Sequence, residues 1–198
     1  MNKIIQIFNK HKGYSRMKEL RDAGIQTRDI AYALEEGVIT KIKPGLYRLV
    51  NYPWDEHSSF ADVCIANKKA VICLLTAASY YELTTFIPTE IDVAVPNNTD
   101  KFNLIYPPIK VYYYSDSYYG QGIERMYTKS GVVNIYNREK TIADLFRYKK
   151  KMGEDLVVES LKEYMRNRRT ANFSDLLKYA DAGRVRKKIE PILRALLI

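Results

Sequence analysis

Cysteine and histidine are scarce in these 198 residues, with two of each. Cys64 and Cys73 stand among apolar residues, and with His11 and His57 they form no metal-ligand spacing. The scarcity argues against a zinc cluster or a disulfide scaffold, and the two thiols read as small buried hydrophobes. Long apolar runs are missing too: no stretch reaches the roughly 18 residues of a membrane span. The N-terminal MNKIIQIFNKHKGYS has neither a long apolar core nor a small-residue cleavage site. A cytoplasmic protein without a membrane partner is therefore expected. Catalytic motifs are absent as well: there is no P-loop, no G-x-S-x-G and no H-E-x-x-H. Glu90 and Asp92 share one side of a predicted strand and make a weak divalent-metal candidate. They lack a third carboxylate and the Gly-Ser turn that such metal sites carry, and an exposed strand face is the competing reading. No metal, cofactor or catalytic residue is expected, and the chain is read as a non-enzyme.

Positive charge and tyrosine are what the sequence does have. The net charge is +9, unevenly spread. Residues 1–52 carry ten basic and five acidic side chains, residues 53–137 six and nine, and residues 138–198 sixteen and nine. Cations thus collect at the two ends around an acidic middle, which favours a polyanionic partner. The 17 tyrosines cluster at Tyr112, Tyr113, Tyr114, Tyr118 and Tyr119. Neighbours on a strand point to opposite faces, so some are expected buried and others exposed.

The N-terminal segment predicts three helices and a hairpin. Apolar spacing gives a helix over Asn2 to His11, a second from a Ser15 cap to about Ala23, and a third from Gln26 or Thr27 to Glu36. Gly24 and Gly37 end the second and third. GVITKIKPGLYRLV then reads as two strands around Pro44-Gly45, which would fill the centre of a type II turn. Tight hairpins favour other turns, so a splayed or longer loop is expected here. This order is that of a winged helix-turn-helix, in which the second helix of the pair enters the major groove by its N-terminus. Gln26, Thr27, Arg28 and, one turn on, Tyr32 are the candidate base-reading residues. Lys41, Lys43 and Arg48 are the candidate contacts from the wing to the DNA backbone, with Arg16 and Lys18 as further phosphate candidates. Lysines on an edge strand also guard against aggregation, which is the competing explanation. A helical module touching only protein would explain the same periodicity.

A polar join around Pro53 suggests a boundary between domain 1–52 and domain 57–198. The second domain reads as mixed α/β, with helices over Phe60 to Lys68 and Thr76 to Leu83 and strands over Ala70 to Leu75, Glu90 to Val95 and Ile109 to Ser115. A hairpin flanks KSG at Ile123 to Thr128 and Val132 to Tyr136. A helical run follows: Lys140 to Lys149, Gly153 to Arg168, Ser174 to Ala182 with Ser174 as cap, and Val185 to Leu197. The fold class is α+β. Basic runs at Lys149 to Lys151, Arg166 to Arg169 and Arg184 to Lys188 mark these helices. Arg184, Arg186, Lys187 and Lys188 are candidate phosphate contacts, with a merely solvated face as the equal alternative.

The winged-helix order, then AVICLLTAASYYELT, EIDVAVP and REKTIADLFRYKKKMGEDLVVESLKEYM, resembles the AbiEi-type antitoxins of bacterial abortive-infection systems. Lys140 to Lys162 carries the most specific part, with Lys140, Thr141, Asp144 and Tyr148 at the positions of the family's motif. The resemblance implies an autorepressor that binds inverted repeats in its own promoter. It also implies a C-terminal domain that counteracts a nucleotidyltransferase-like toxin without a stable complex, as in type IV systems, in phage defence. It implies no catalytic residue. Lys140, Thr141, Asp144 and Tyr148 are read as ties between their helix and the sheet. An RNA-directed or enzymatic antitoxin acting through the basic C-terminal helices is the alternative, and a purely protein-binding module a third.

Overall fold

The computed structural model describes residues 2–166 and 170–197. Antiparallel strand pairs dominate and a run of helices follows the last strand, so the α+β class holds. Two compact units emerge: residues 1–68, 101–109 and 127–133 in one, the remainder in the other. The Pro53 join is therefore not where they divide, because the helix that follows it belongs to the first unit.

The first unit runs α1 (Asn2–Lys10), β1 (Tyr14–Arg16), α2 (Met17–Asp22), α3 (Thr27–Glu35), β2 (Ile39–Lys43), β3 (Leu46–Leu49) and α4 (Ser58–Ala66). The predicted three helices and hairpin are present, with a short strand added. Ser15, read as a helix cap, is instead buried in β1, which pairs antiparallel with β3 and completes a sheet of order β1-β3-β2. Three residues are too few to show an alternating pattern, and β1 forms because β3 offers it a free edge. Arg16 takes the cap position of α2, and the Glu19 carboxylate reaches back to accept from the Arg16 amide at 2.6 Å. Ile4, Phe8, Leu20, Ile30, Ala33, Ile39 and Leu49 form the core beneath.

The Pro44-Gly45 turn is tight, not splayed. Gly45 takes a positive φ of 78°, as the third residue of a type II turn requires. The mismatch of twist is absorbed by a bulge: Lys41 pairs with Tyr47 and Lys43 with Leu46, leaving Ile42 as the extra residue. The Gly45 carbonyl accepts from the Met17 amide at 2.9 Å, so the hairpin tip is fastened to the start of α2.

The remaining elements are β4 (Val71–Ile72), α5 (Leu74–Tyr80), β5 (Ile91–Pro96), β6 (Ile109–Tyr114), α6 (Asp116–Tyr119), β7 (Ile123–Tyr127) and β8 (Val132–Tyr136), followed by α7 (Arg138–Arg147), α8 (Lys149–Met152), α9 (Glu154–Arg166), α10 (Phe173–Ala182) and α11 (Arg186–Leu197), and all of them but the strand ends Ile109, Tyr127 and Val132 to Val133 belong to the second unit. Its sheet has the order β6-β5-β4-β8-β7, with β4 antiparallel to β5 and parallel to β8. Strand β5 is buried along its whole length, so both faces of the sheet are covered there. Asp92 on β5 is buried and accepts from the Leu75 amide at 3.1 Å. The exposed-face reading of Glu90 and Asp92 therefore holds for Glu90 alone. Among the described residues no group of three potential ligands could hold a metal. The cap of α10 is Asn172, which accepts from the Asp175 amide, not Ser174. Among the described residues no helix is long and apolar enough to cross a membrane.

Helix α7 is the pivot of this unit, packing against α5, α9, α10 and α11. Its Lys140 and Asp144 are both completely buried. The Lys140 ammonium donates to both Asp144 oxygens, at 2.8 and 2.7 Å. Tyr118 donates to the same carboxylate at 2.5 Å. Around the ammonium stand the rings of Tyr118, Tyr136 and Tyr114, at 3.6, 4.2 and 4.9 Å from their centroids. Gly122 makes room for this arrangement, since a Cβ there would lie 2.8 Å from that of Lys140. Tyr148 stacks on Tyr114 and meets Tyr112 edge-on. Tyr112 and Tyr114 are buried while Tyr113 is exposed, as strand alternation requires. Motif residues Lys140, Asp144 and Tyr148 thus join α7 to β6, α6 and β8.

Removing one member of a buried pair leaves an uncompensated charge. Lys140→Met is expected to cost about 3–5 kcal/mol of unfolding free energy, and Lys140→Met with Asp144→Leu less than either change alone. Urea denaturation of the four proteins measures this, and additive losses would contradict it. Burial pushes the Asp92 carboxyl up to about 6, against the hydrogen bonds that favour its charge. The folded state therefore binds a proton more tightly than the unfolded chain, and this contribution is lost as pH rises through 6. Wild-type stability at pH 5 relative to pH 7 should exceed that of Asp92→Asn by about 1 kcal/mol. Denaturant titrations at the two pH values check the sign.

Candidate nucleic-acid interface

Helices α2 and α3 are joined by residues 23–26, and the hydrogen bond from the Ile25 amide to the Leu20 carbonyl closes the turn. Ile30 and Ala33 turn α3 onto the core, which leaves its other side free. Gln26 is the cap residue of α3, and Thr27 and Arg28 open its first turn; all three are exposed. Tyr32 follows Arg28 at four residues and is exposed by 54%. The two therefore share a face. Arg28 lies 3.6 Å from the Asp29 carboxylate with its side chain 81% exposed, a pairing weak enough to exchange for a ligand. Arg16 and Lys18, at the start of α2, are exposed as well. The four base-reading candidates thus occupy one free helix end.

The hairpin cations divide. Lys41 is half-buried with no ion-pair partner among the described residues. Lys43 is turned back onto the protein: its ammonium donates to the Ala66 carbonyl at 2.6 Å. Burial, helped by the nearby Arg16 charge, lowers its pKa. Arg48 is turned inward. It is 7% exposed and donates to the Asp62 carboxylate at 2.5 Å, while its guanidinium lies 3.8 Å from the centre of the Trp54 ring. Tyr14 donates to the other Asp62 oxygen at 2.7 Å. Arg48 is therefore a buried structural cation, and its assignment to the DNA backbone is corrected. The cause is register: Arg48 pairs with both Tyr14 and Thr40, in the central strand, where its side chain meets α4 and the Pro53 join. Sequence spacing gives no hint of this, since Asp62 arrives from a helix 14 residues away.

The C-terminal candidates divide too. Arg184 is exposed, with a left-handed φ of 58°. Arg186 is taken up by two carboxylates, Asp181 at 2.7 Å and Glu190 at 3.2 Å, whose hydrogen bonds raise its pKa. It offers a phosphate little that is unclaimed. Lys187 and Lys188 are exposed. Of the run Arg166 to Arg169, residues 167–169 lie outside the described residues; Arg166 pairs with Glu163 at 2.5 Å. Sequence reading passes over Arg147, which precedes a basic run and lines two cavities.

Arg48→Ala would strand the Asp62 charge and is expected to lower stability by about 3 kcal/mol or more. Lys41→Ala, on a half-exposed edge, should stay within about 0.5 kcal/mol. Thermal and chemical denaturation of the two variants separates the structural cation from the surface one, and equal effects would refute the distinction.

A comparison with curated proteins gives no match. A comparison with protein families gives one, confined to the first quarter of the chain and spanning the helices and hairpin just described. Residues 2–50 match the family described as "Transcriptional regulator, AbiEi antitoxin", so this N-terminal segment is similar to AbiEi antitoxin regulators.

Proposed function

We propose that the first unit is a winged helix-turn-helix, with α3 as its recognition helix, and that it represses its own toxin–antitoxin operon by binding inverted repeats in the promoter. The observation that carries this reading is the coincidence of the family match over residues 2–50 with the free N-terminal end of α3. Arg28 suits a bidentate contact to guanine and Gln26 one to adenine, with Thr27 and Tyr32 beside them. Arg16, Lys18 and Lys41 are left to neutralise phosphates and set the position of the unit on the duplex. Glu35 and Glu36 at the far end of α3 suit a helix that enters the groove by its N-terminus alone. An antitoxin answers a toxin, and the resemblance across the rest of the chain supports a nucleotidyltransferase-like toxin, opposed without a stable complex in a type IV phage-defence system.

A gel-shift titration with the chain's own promoter fragment tests the DNA reading. Arg28→Ala should weaken specific binding by about 1–3 kcal/mol and relax preference at one base position. Lys41→Ala should weaken binding evenly across sequences and reduce the slope of affinity against salt by about one. Unchanged affinity in Arg28→Ala would remove α3 from the groove. For the antitoxin reading, co-expression should rescue cells from a neighbouring nucleotidyltransferase-like gene product without the two proteins co-purifying.

A further inference from the structure

Two cavities in the second unit share Arg147. One, of about 810 Å³, is lined by the α7–α8 junction and by Lys188 of α11. The other, of about 540 Å³, is lined by Ser115, Ser117, Gln121 and Arg184 among others. Their chemistry is one-sided. Among the described residues the first holds Arg147, Lys149, Lys150, Lys151 and Lys188 against a single carboxylate, Glu154, which Lys149 pairs. Among the described residues no carboxylate lines the second, which gathers two guanidinium groups, two serine hydroxyls and an amide. A solvated basic face would spread its charges over a convex surface, whereas these line half-open clefts, whose concave walls focus the field.

The geometry points to a nucleotide-binding site: we propose that the paired cavities bind a phosphorylated nucleoside, either free or as the terminal nucleotide of an RNA strand. Each cavity lies within the size range of small-molecule sites and is much larger than a lone phosphate needs. Arg147 and Arg184 supply planar forks that match phosphate oxygens, and Ser115 and Ser117 supply neutral donors. Arg147 also lies over the Tyr118 ring, 4.5 Å from its centroid, which orients the guanidinium shared by the two cavities. Half-buried Tyr148 gives the larger cavity an aromatic wall. Arg184 is held in a left-handed conformation that ordinary side chains avoid. None of this depends on the DNA-binding reading of the first unit.

Fluorescence titration of the full-length chain with a methylanthraniloyl-labelled nucleoside triphosphate, and in parallel with a 3′-labelled single-stranded RNA, tests the proposal. Two variants are compared. Arg184→Gly removes one fork and relieves the left-handed backbone, so it should fold at least as well as wild type. Lys150→Glu with Lys188→Glu reverses two exposed charges of the larger cavity. At least one probe should bind saturably, and both variants should weaken it about tenfold or more. Binding of the triphosphate alone identifies a free nucleotide as the ligand, and binding of RNA alone identifies a strand end. Saturation by neither probe, or affinity unchanged in both variants, overturns the site. So does a loss confined to promoter duplex, which would make these cations an extension of the DNA face.

Discussion

The second unit depends on keeping an ammonium and a carboxylate out of water. Lys140 and Asp144 lose their hydration entirely. A buried ion pair recovers that cost only with good geometry and further hydrogen bonds. Both are supplied here. The two charges sit one turn apart on the same helix, so their mutual distance is set by α7 itself. Tyr118 completes the carboxylate, and three tyrosine faces replace water around the ammonium. Burial lowers the Lys140 pKa while Asp144 pulls it back up, and burial together with the Asp144 charge raises that of Tyr118. Tyr118 thus remains a neutral donor, and all three rings present π-faces. Because those rings come from β6, α6 and β8, satisfying one helix's charges requires the sheet to be assembled beside it.

The first unit solves a smaller version of the same problem. Arg48, Asp62 and Tyr14 form a buried polar group with Trp54 on its open side. Burial pushes the Asp62 carboxyl up to about 6, opposed by Arg48 and by the Tyr14 hydrogen bond. This arrangement fastens α4 to the central strand of the small sheet. It also withdraws one cation from the surface, so among the candidate contacts of this unit the exposed positive charge rests with Arg16, Lys18, Arg28 and the partly covered Lys41. The face that remains is dominated by the start of α3.

Much of this architecture is legible in the sequence where a long apolar period sets it. The three N-terminal helices, the hairpin around Pro44-Gly45, the β7–β8 hairpin and the four long C-terminal helices can all be read from pattern and punctuation. Strand β1 cannot, because three residues carry no period and their pairing is decided by β3. Helices α6 and α8 are single turns and escape for the same reason. At the candidate interface, exposure follows helical spacing, so Gln26, Thr27, Arg28 and Tyr32 are found where the pattern puts them. Charge does not announce burial: Arg48 and Lys43 look like Lys41 in sequence, yet one reaches a carboxylate and another a carbonyl far along the chain. The cavities around Arg147 draw on α7, α8 and α11 in one case and on α6, α7 and the end of α10 in the other, a convergence that no local pattern encodes.

The hydrogen bond from the Met17 amide to the Gly45 carbonyl joins the hairpin tip to the first helix of the helix pair through main-chain atoms alone. Side chains on that surface can therefore be exchanged without moving the frame that presents them. The exposed side chains at the start of α3 and the main-chain frame behind them thus rest on separate parts of the chain, and substitution of the former leaves the latter in place.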